Sequence, residues 1–398
     1  MLQASIQLYR NAYSGISKPV WWLSFVMLVN RSGTMVIPFL TVYLTQKGYT
    51  LTEAGIVMAC FGVGAIAGGY LGGRLTDSFG FYHVQVFSLL FNGILFIVLS
   101  YMQGLWQIGS CIFFLASLGE AFRPANAAAI AFYSNDSNRT RCYSLNRLAI
   151  NLGWAIGPAV GGLLASINYS LLFWADGLTC ITASMLLYFF LFGQAKSSHK
   201  QKQSEERKII LSAYKDKIFL QVMFFLSLIG ICFFQLFSMI PVFYRDEVHL
   251  SEITIGWVLA SNGLVIALME MVLVYKLENK RSDVVYMIYG TLLISISFLL
   301  LAIAPVLALI LLSMLVVTFG EMLLFPFTNS FWVSRSSISN RGQYAALYTM
   351  VFALAQVVSP LLSSGIALNF GFTSLFLFDF ILCTMAGLGF IWLRKNIV

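Results

Sequence analysis

The chain has 398 residues, 59% hydrophobic and 10% charged, with a formal net charge of +8 at pH 7. A dispersed globular chain carries about 25% charged residues, so this composition excludes a water-soluble globule and points to a polytopic membrane protein. The alternating pattern of a membrane β-barrel is absent, which leaves helices as the only way to satisfy every backbone group in lipid.

In chain order, residues 1–18 hold no continuous apolar core, so no cleavable signal peptide is expected there. Leu2, Ile6, Tyr9, Tyr13 and Ile16 fall at helical spacing and read as a short interfacial helix or a frayed start. Twelve runs of bilayer-crossing length follow, predicted at 20–44, 52–75, 83–103, 105–133, 142–166, 169–193, 218–244, 252–275, 284–304, 306–334, 343–368 and 372–393. The polar, basic stretch from Gln194 to Lys217 separates the sixth run from the seventh. The expected organisation is a six-helix half over 1–193, a cytoplasmic linker over 194–217 and a second six-helix half over 218–398.

Charge placement gives the orientation. Of the 24 Lys and Arg, only Arg31 and Arg123 lie within spans, and only Lys47 and Arg245 lie in the first and seventh connections. All others sit at the termini, in even-numbered connections or at the helix ends bordering them. The positive-inside rule then puts both termini in the cytoplasm, in an inner or plasma membrane. The basic balance is thus a topology signal, and no nucleic-acid partner is expected. The six cysteines and three histidines are scattered singly, without metal-site or disulfide spacing. No metal, cofactor or catalytic constellation is expected, and an enzyme is not the reading.

The two halves repeat one design at an offset of about 202 residues. Ile37-Pro38 matches Ile240-Pro241, Leu51-Thr52-Glu53 matches Leu250-Ser251-Glu252, and Glu120 of "GEAFRP" matches Glu321 of "GEMLLFP". Asn138-Arg139 matches Asn340-Arg341, Gly157-Pro158 matches Ser359-Pro360, and Asp176 matches Asp379. Parallel six-helix repeats of this kind resemble the major facilitator superfamily. "GRLTDSFGFYH" is similar to that superfamily's loop between helices two and three: Gly73, Leu75, Asp77 and Gly80 fit, while Phe81 and Tyr82, followed by His83, stand where the family has basic residues. The resemblance implies a cytoplasmic latch at Asp77, with Arg139 and Arg341 as gate residues. "GWAIGPAVGG", with Gly153, Gly157, Pro158, Gly161 and Gly162, resembles the fifth-helix pattern of proton-coupled drug antiporters. Small residues there let helices approach closely, and the proline bends the helix. The first and tenth spans also resemble proton-dependent oligopeptide transporters. Met27, Asn30 and Arg31 stand at the positions of their Glu-x-x-Glu-Arg signature, so only the arginine is kept.

The resemblance implies twelve helices in two pseudo-symmetric halves, with a cavity lined by helices one, four, seven and ten. Charges at membrane depth cost about 2.5–3.5 kcal/mol each and persist where they face a cavity or a partner. Glu120 and Arg123, at i and i+3, share a helical face and can meet Arg31. That group is either a salt bridge fixing helix one against helix four, or part of a substrate and proton site. Two arginines to one carboxylate leave a positive charge that suits an acidic substrate group. Glu321 has no arginine at the matching spacing, and a carboxylate without a cation in low dielectric holds a proton readily, so it is the first proton-carrier candidate. Glu270 is a further candidate, or a group that snorkels to water. Asp176 and Asp379 read as structural. Asn30, Asn126, Phe234, Gln235, Phe325, Asn329 and Trp332 complete the expected lining of an apolar cavity with few polar anchors. The reading is a monomeric secondary transporter exporting small amphipathic or drug-like solutes in exchange for protons. Proton-coupled uptake of a peptide, amino acid or organic acid stands second, and a non-transporting receptor of the same fold third.

Overall fold

The computed structural model describes residues 15–135, 138–192, 212–277, 280–336 and 340–397. The helical spacing seen over Leu2–Tyr13 and most of the linker 194–217 lie outside them. Among the described residues the chain is all helix, apart from turns and connections.

Eleven helices among the described residues are long and apolar enough to cross a membrane. The fourth span, Leu105–Tyr133, has its expected bounds, and most others begin and end within a few residues of theirs. The last helix, Gln343–Lys395, has 53 residues. A straight helix of that length would run about 80 Å, more than twice a hydrocarbon core of about 30 Å. This one is broken at Gly371, whose φ of 81° lies in the left-handed region that glycine adopts freely. It therefore supplies the eleventh and twelfth crossings.

Spans one and seven are each broken where the repeat places an Ile-Pro pair. Span one is Lys18–Ser32 followed by Val36–Gln46, and span seven is Lys217–Phe233, a 3-10 turn over Phe234–Phe237, then Ile240–Asp246. Pro38 and Pro241 lack an N–H, and their rings clash with the carbonyl four residues back, so neither helix can run through. Both prolines instead sit in the first turn of the second piece, where that N–H has no partner to lose.

The described residues fall into two compact units. One takes in the described residues within 1–36 and 64–202, the other those within 37–63 and 203–398. Residues 37–63 thus group with the C-terminal spans rather than with the rest of the expected N-terminal half. In the first unit, Leu23 and Met27 of span one pack with Phe122 of span four, Leu145 of span five and Leu187 of span six. Gly64, Gly68 and Gly72 line one face of span two against span four; a Cβ at Gly72 would stand 2.7 Å from the Ala121 carbonyl oxygen. In the second unit, Phe243 meets Phe376 edge-on at 4.8 Å, joining spans seven and twelve. Large apolar side chains such as Trp106, Phe189 and Phe370 are exposed. In a polytopic chain that surface faces lipid.

Candidate functional site

In the first unit, Arg31 lies in the last turn of the first piece of span one, just before the break. Span five presses against it through the small-residue motif. A Cβ at Gly153 would stand 2.8 Å from the Arg31 carbonyl carbon, and one at Gly157 would stand 2.9 Å from the Thr34 carbonyl oxygen. These two glycines therefore seat Arg31, while Pro158, Gly161 and Gly162 continue the same helix. The Arg31 Nε is buried without a hydrogen-bond partner among the described residues. The charges of Glu120 and Arg123 both act on it. Arg123 Nη1 donates to Glu120 Oε2 at 2.9 Å, with the two side chains 60% and 21% exposed. The structure thus brings the three expected charges together, and the pair is open rather than sealed. Asn30 bonds to span six, its Nδ2 donating to Cys180 Sγ at 3.4 Å. Asn126 is buried in an amide chain, accepting from Gln85 Nε2 at 3.4 Å and donating to Asn146 Oδ1 at 3.2 Å, which ties spans three, four and five.

In the second unit, Glu321 of span ten is buried, and its Oε1 accepts from Asn262 Nδ2 at 2.9 Å. The same Nδ2 also reaches Thr318 Oγ1 at 3.0 Å. Glu270, on span eight with Asn262, is buried too, and its charge acts on Glu321. One turn beyond Glu321, Phe325 stands 5.1 Å from Phe233 and 5.7 Å from Phe352, both edge-on. Phe234 and Tyr348 also border Phe352, at 6.4 and 5.0 Å, and Trp332 reaches Tyr348 at 6.1 Å. This half-buried aromatic wall joins spans seven, ten and eleven. Asn329 lies beside it, accepting from Trp332 Nε1 at 3.1 Å. Gln235 does not join the wall: it is fully buried, and its Nε2 donates to Asp379 Oδ1 at 2.7 Å.

Three groups lay outside the sequence reading. Asn262 is a lone amide in an apolar run and gives no pattern. Tyr344, Tyr348 and Phe352, spaced by four on span eleven, form an aromatic stripe that helical periodicity reveals once it is sought. The third is an anchor at Asp216, immediately before span seven. Its carboxylate receives Arg335 Nε and Nη2, each at 2.9 Å, the Tyr344 hydroxyl at 2.8 Å and the Phe219 N–H at 3.1 Å. Burial alone would raise this carboxyl. The hydrogen bonds from Arg335, Phe219 and Tyr344 outweigh that and hold it below the usual carboxylate range. An Asp just ahead of an apolar run is an N-cap signal.

The loop after span two departs from the latch pattern in a definite way. Phe81 and Tyr82, at the family's basic positions, are buried core residues, and Phe81 packs edge-on against Tyr133 at 5.8 Å. Gly80 supplies the left-handed φ of 80° that starts span three. Gly73 has open space where a Cβ would be, and Asp77 is exposed, with no hydrogen bond from a described residue. The side chains of Arg139 and Arg341 lie outside the described residues.

Membrane-length helices throughout, two of them broken at matched prolines, with ionisable groups at depth, define a multi-pass membrane transporter. The family profile of the Major Facilitator Superfamily matches residues 20–337 and 244–396, and the chain belongs to that family. It is 23% identical to a "Na(+), Li(+), K(+)/H(+) antiporter" of Planococcus maritimus, over 92% of this chain and 93% of the relative. It is 21% identical to the "Quinolone resistance protein NorA" of Staphylococcus aureus, over 88% of this chain and 90% of the relative. In fold it is similar to a peptide transporter (POT) solved with sulfate, with a TM-score of 0.81 at 16% identity, covering 97% of this chain and 96% of that one. A variant of the nucleoside transporter NupG gives a TM-score of 0.80 at 12% identity, covering 94% and 100%. These relatives and neighbours are transporters rather than enzymes.

Proposed function

We propose that the protein exports small amphipathic or drug-like organic solutes in exchange for protons, by alternating access, with Glu321 as the proton carrier. The observation that carries the reading is the setting of Glu321: a buried carboxylate held by the Asn262 amide, with no ion pair among the described residues, one helical turn from Phe325 of the aromatic wall. Protonation decides whether that carboxylate is charged in low dielectric, so it couples the proton to whatever lies against the wall. Half-buried rings with few polar anchors suit flat apolar solutes. The antiporter and quinolone-resistance relatives support this direction. Both termini and the linker 194–217 face the cytoplasm in this reading, and residues 1–193 and 218–398 act as its two rocking halves.

Proton-coupled uptake of a peptide or organic acid is the second reading. It is favoured by the open Arg123, 60% exposed beside Arg31, which suits a ligand carboxylate. Proteoliposomes with an imposed pH gradient, offered lipophilic cations, quinolones, Na⁺, K⁺ and dipeptides, separate the two. Proton-driven movement of the aromatic compounds, abolished in Glu321→Gln while solute exchange persists, is the expected result. Gradient-driven transport at the parent rate in Glu321→Gln overturns the assignment.

A further inference from the structure

Spans eight, nine and ten of the second unit enclose a groove with a volume of about 600 Å³. Its walls are apolar over most of its length, with Leu273 and Leu277 from span eight and Leu315, Phe319 and Leu323 from span ten. At one end the lining changes character, to Lys280, Arg281, Tyr286 and Tyr289. Local backbone bonds explain how that end is built. The Lys280 N–H donates to the Leu277 carbonyl at 3.1 Å, and the Val285 N–H donates to the Ser282 carbonyl at 2.9 Å. These bonds hold Lys280 against the end of span eight and Ser282 against the start of span nine. Tyr286 adds its hydroxyl to the Leu277 carbonyl at 2.9 Å.

The two cations are the informative part. Arg281 Nη1 donates to the Tyr289 hydroxyl at 2.9 Å, so a neutral phenol aims the guanidinium. Among the described residues, neither Lys280 nor Arg281 has an ion pair, and no carboxylate lines the groove. A guanidinium has five N–H donors, and among the described residues one is in use. Among the described residues, the groove thus places two cations without ion-pair partners at one end of a slot whose other lining is mostly apolar.

We propose that this groove is a specific site for an anionic phospholipid. The phosphodiester lies on Lys280 and Arg281, and the acyl chains fill the slot over Leu277, Leu315 and Phe319. The planar Arg fork matches phosphate oxygens bidentately, and Lys280 adds a point charge. A small polar solute would find no partner in the slot, whereas acyl chains need none. Tyr289, exposed beside Arg281, offers an aromatic ring with a polar tip, a group favoured at the headgroup boundary.

The test uses the purified full chain in mild detergent, challenged with equal amounts of phosphatidylglycerol and phosphatidylcholine and read by native mass spectrometry and thermal unfolding. Two cations near the surface correspond to a preference of about thirtyfold for the anionic lipid. Lys280→Gln with Arg281→Gln should reduce that preference to near parity, and Lys395→Gln, an exposed cation elsewhere, should leave it intact. Leu315→Trp, which fills the slot and keeps both charges, should also lower retention of phosphatidylglycerol. Equal retention of the two lipids by the parent, an unchanged preference in the charge variant, or unchanged phosphatidylglycerol retention in Leu315→Trp overturns the proposal. Lipid retention is read independently of transport, so the assigned export function and this site stand or fall separately.

Discussion

Asp176 on span six accepts hydrogen bonds from the Met35 N–H at 3.0 Å and the Val36 N–H at 2.9 Å, capping the helix that restarts after the break in span one. Its repeat partner Asp379 meets the break in span seven differently. It takes one bond from Gln235 Nε2, while its own Oδ2 and Gln235 Oε1 are buried without partners among the described residues. The same sequence position thus serves the same breakpoint through backbone in one unit and through an amide side chain in the other.

This asymmetry predicts unequal substitutions. Asp176→Asn places an NH₂ group among backbone donors and removes a charge-assisted cap, so it should cost about 2–4 kcal/mol. Asp379→Asn keeps an oxygen for Gln235 Nε2 and turns an NH₂ toward the unpartnered Gln235 Oε1, so it should be nearly neutral. Unfolding of both variants in mild detergent checks the order. Equal losses would show that the two carboxylates play the same part.

The Asp216 anchor predicts a pH dependence. Its carboxyl sits below the usual range in the folded chain, so its contribution is fully present above the unfolded value of about 3.9 and is lost as pH falls through the lower folded value. Asp216→Asn should therefore be less stable than the parent by about 2 kcal/mol near neutrality. The gap should close only in strong acid. A stability difference that is flat from neutral pH into that range would dissociate the anchor from ionisation.

Gly153 predicts a steric effect on the charge cluster. A Cβ there collides with Arg31 itself, and the Arg31 and Ser32 backbone, at 2.8 and 3.0 Å, cannot swing away. Gly153→Ala should cost about 1–3 kcal/mol and reduce transport by displacing Arg31. Gly69→Ala, with open space at that position, should be neutral or slightly stabilising. Unfolding and liposome transport on both proteins give the comparison.

The open Glu120–Arg123 pair separates scaffold from site. Because Arg123 is 60% exposed, Arg123→Gln should cost less than about 1 kcal/mol in stability, whereas Glu120→Gln, which also takes the opposing charge from the buried Arg31, should cost more. A substrate or proton role predicts loss of transport in each single variant and no recovery in the double. Restored transport in the double variant would reduce the pair to a helix-positioning contact.

Much of the fold was legible because its determinants are local. Apolar length alone located every span, and the fourth came out at its observed ends. The breaks in spans one and seven were encoded just as locally, in Pro38 and Pro241, yet hydropathy sums over a break without registering it. The site was legible only where its members sit one helical turn apart, as Glu120 and Arg123 do. Asp216 and Arg335 are separated by 119 positions, and their pairing exists only once spans seven and ten are packed. Asn262 was hidden for the same reason, since an amide in an apolar run says nothing about which carboxylate will face it. Phe81 and Tyr82 were conspicuous as departures from a pattern, but only their burial shows that packing has replaced charge at that corner.

That replacement reaches back to the moment the chain is made. With aromatic core residues where relatives of this family carry cations, Arg74 is the only Lys or Arg between Gly48 and Phe122. A nascent chain leaving the ribosome is sorted across the bilayer by such charges. Between the second span and the middle of the fourth, Arg74 is therefore the one cation available to such sorting, and the packing of Phe81 and Tyr82 holds the corner instead.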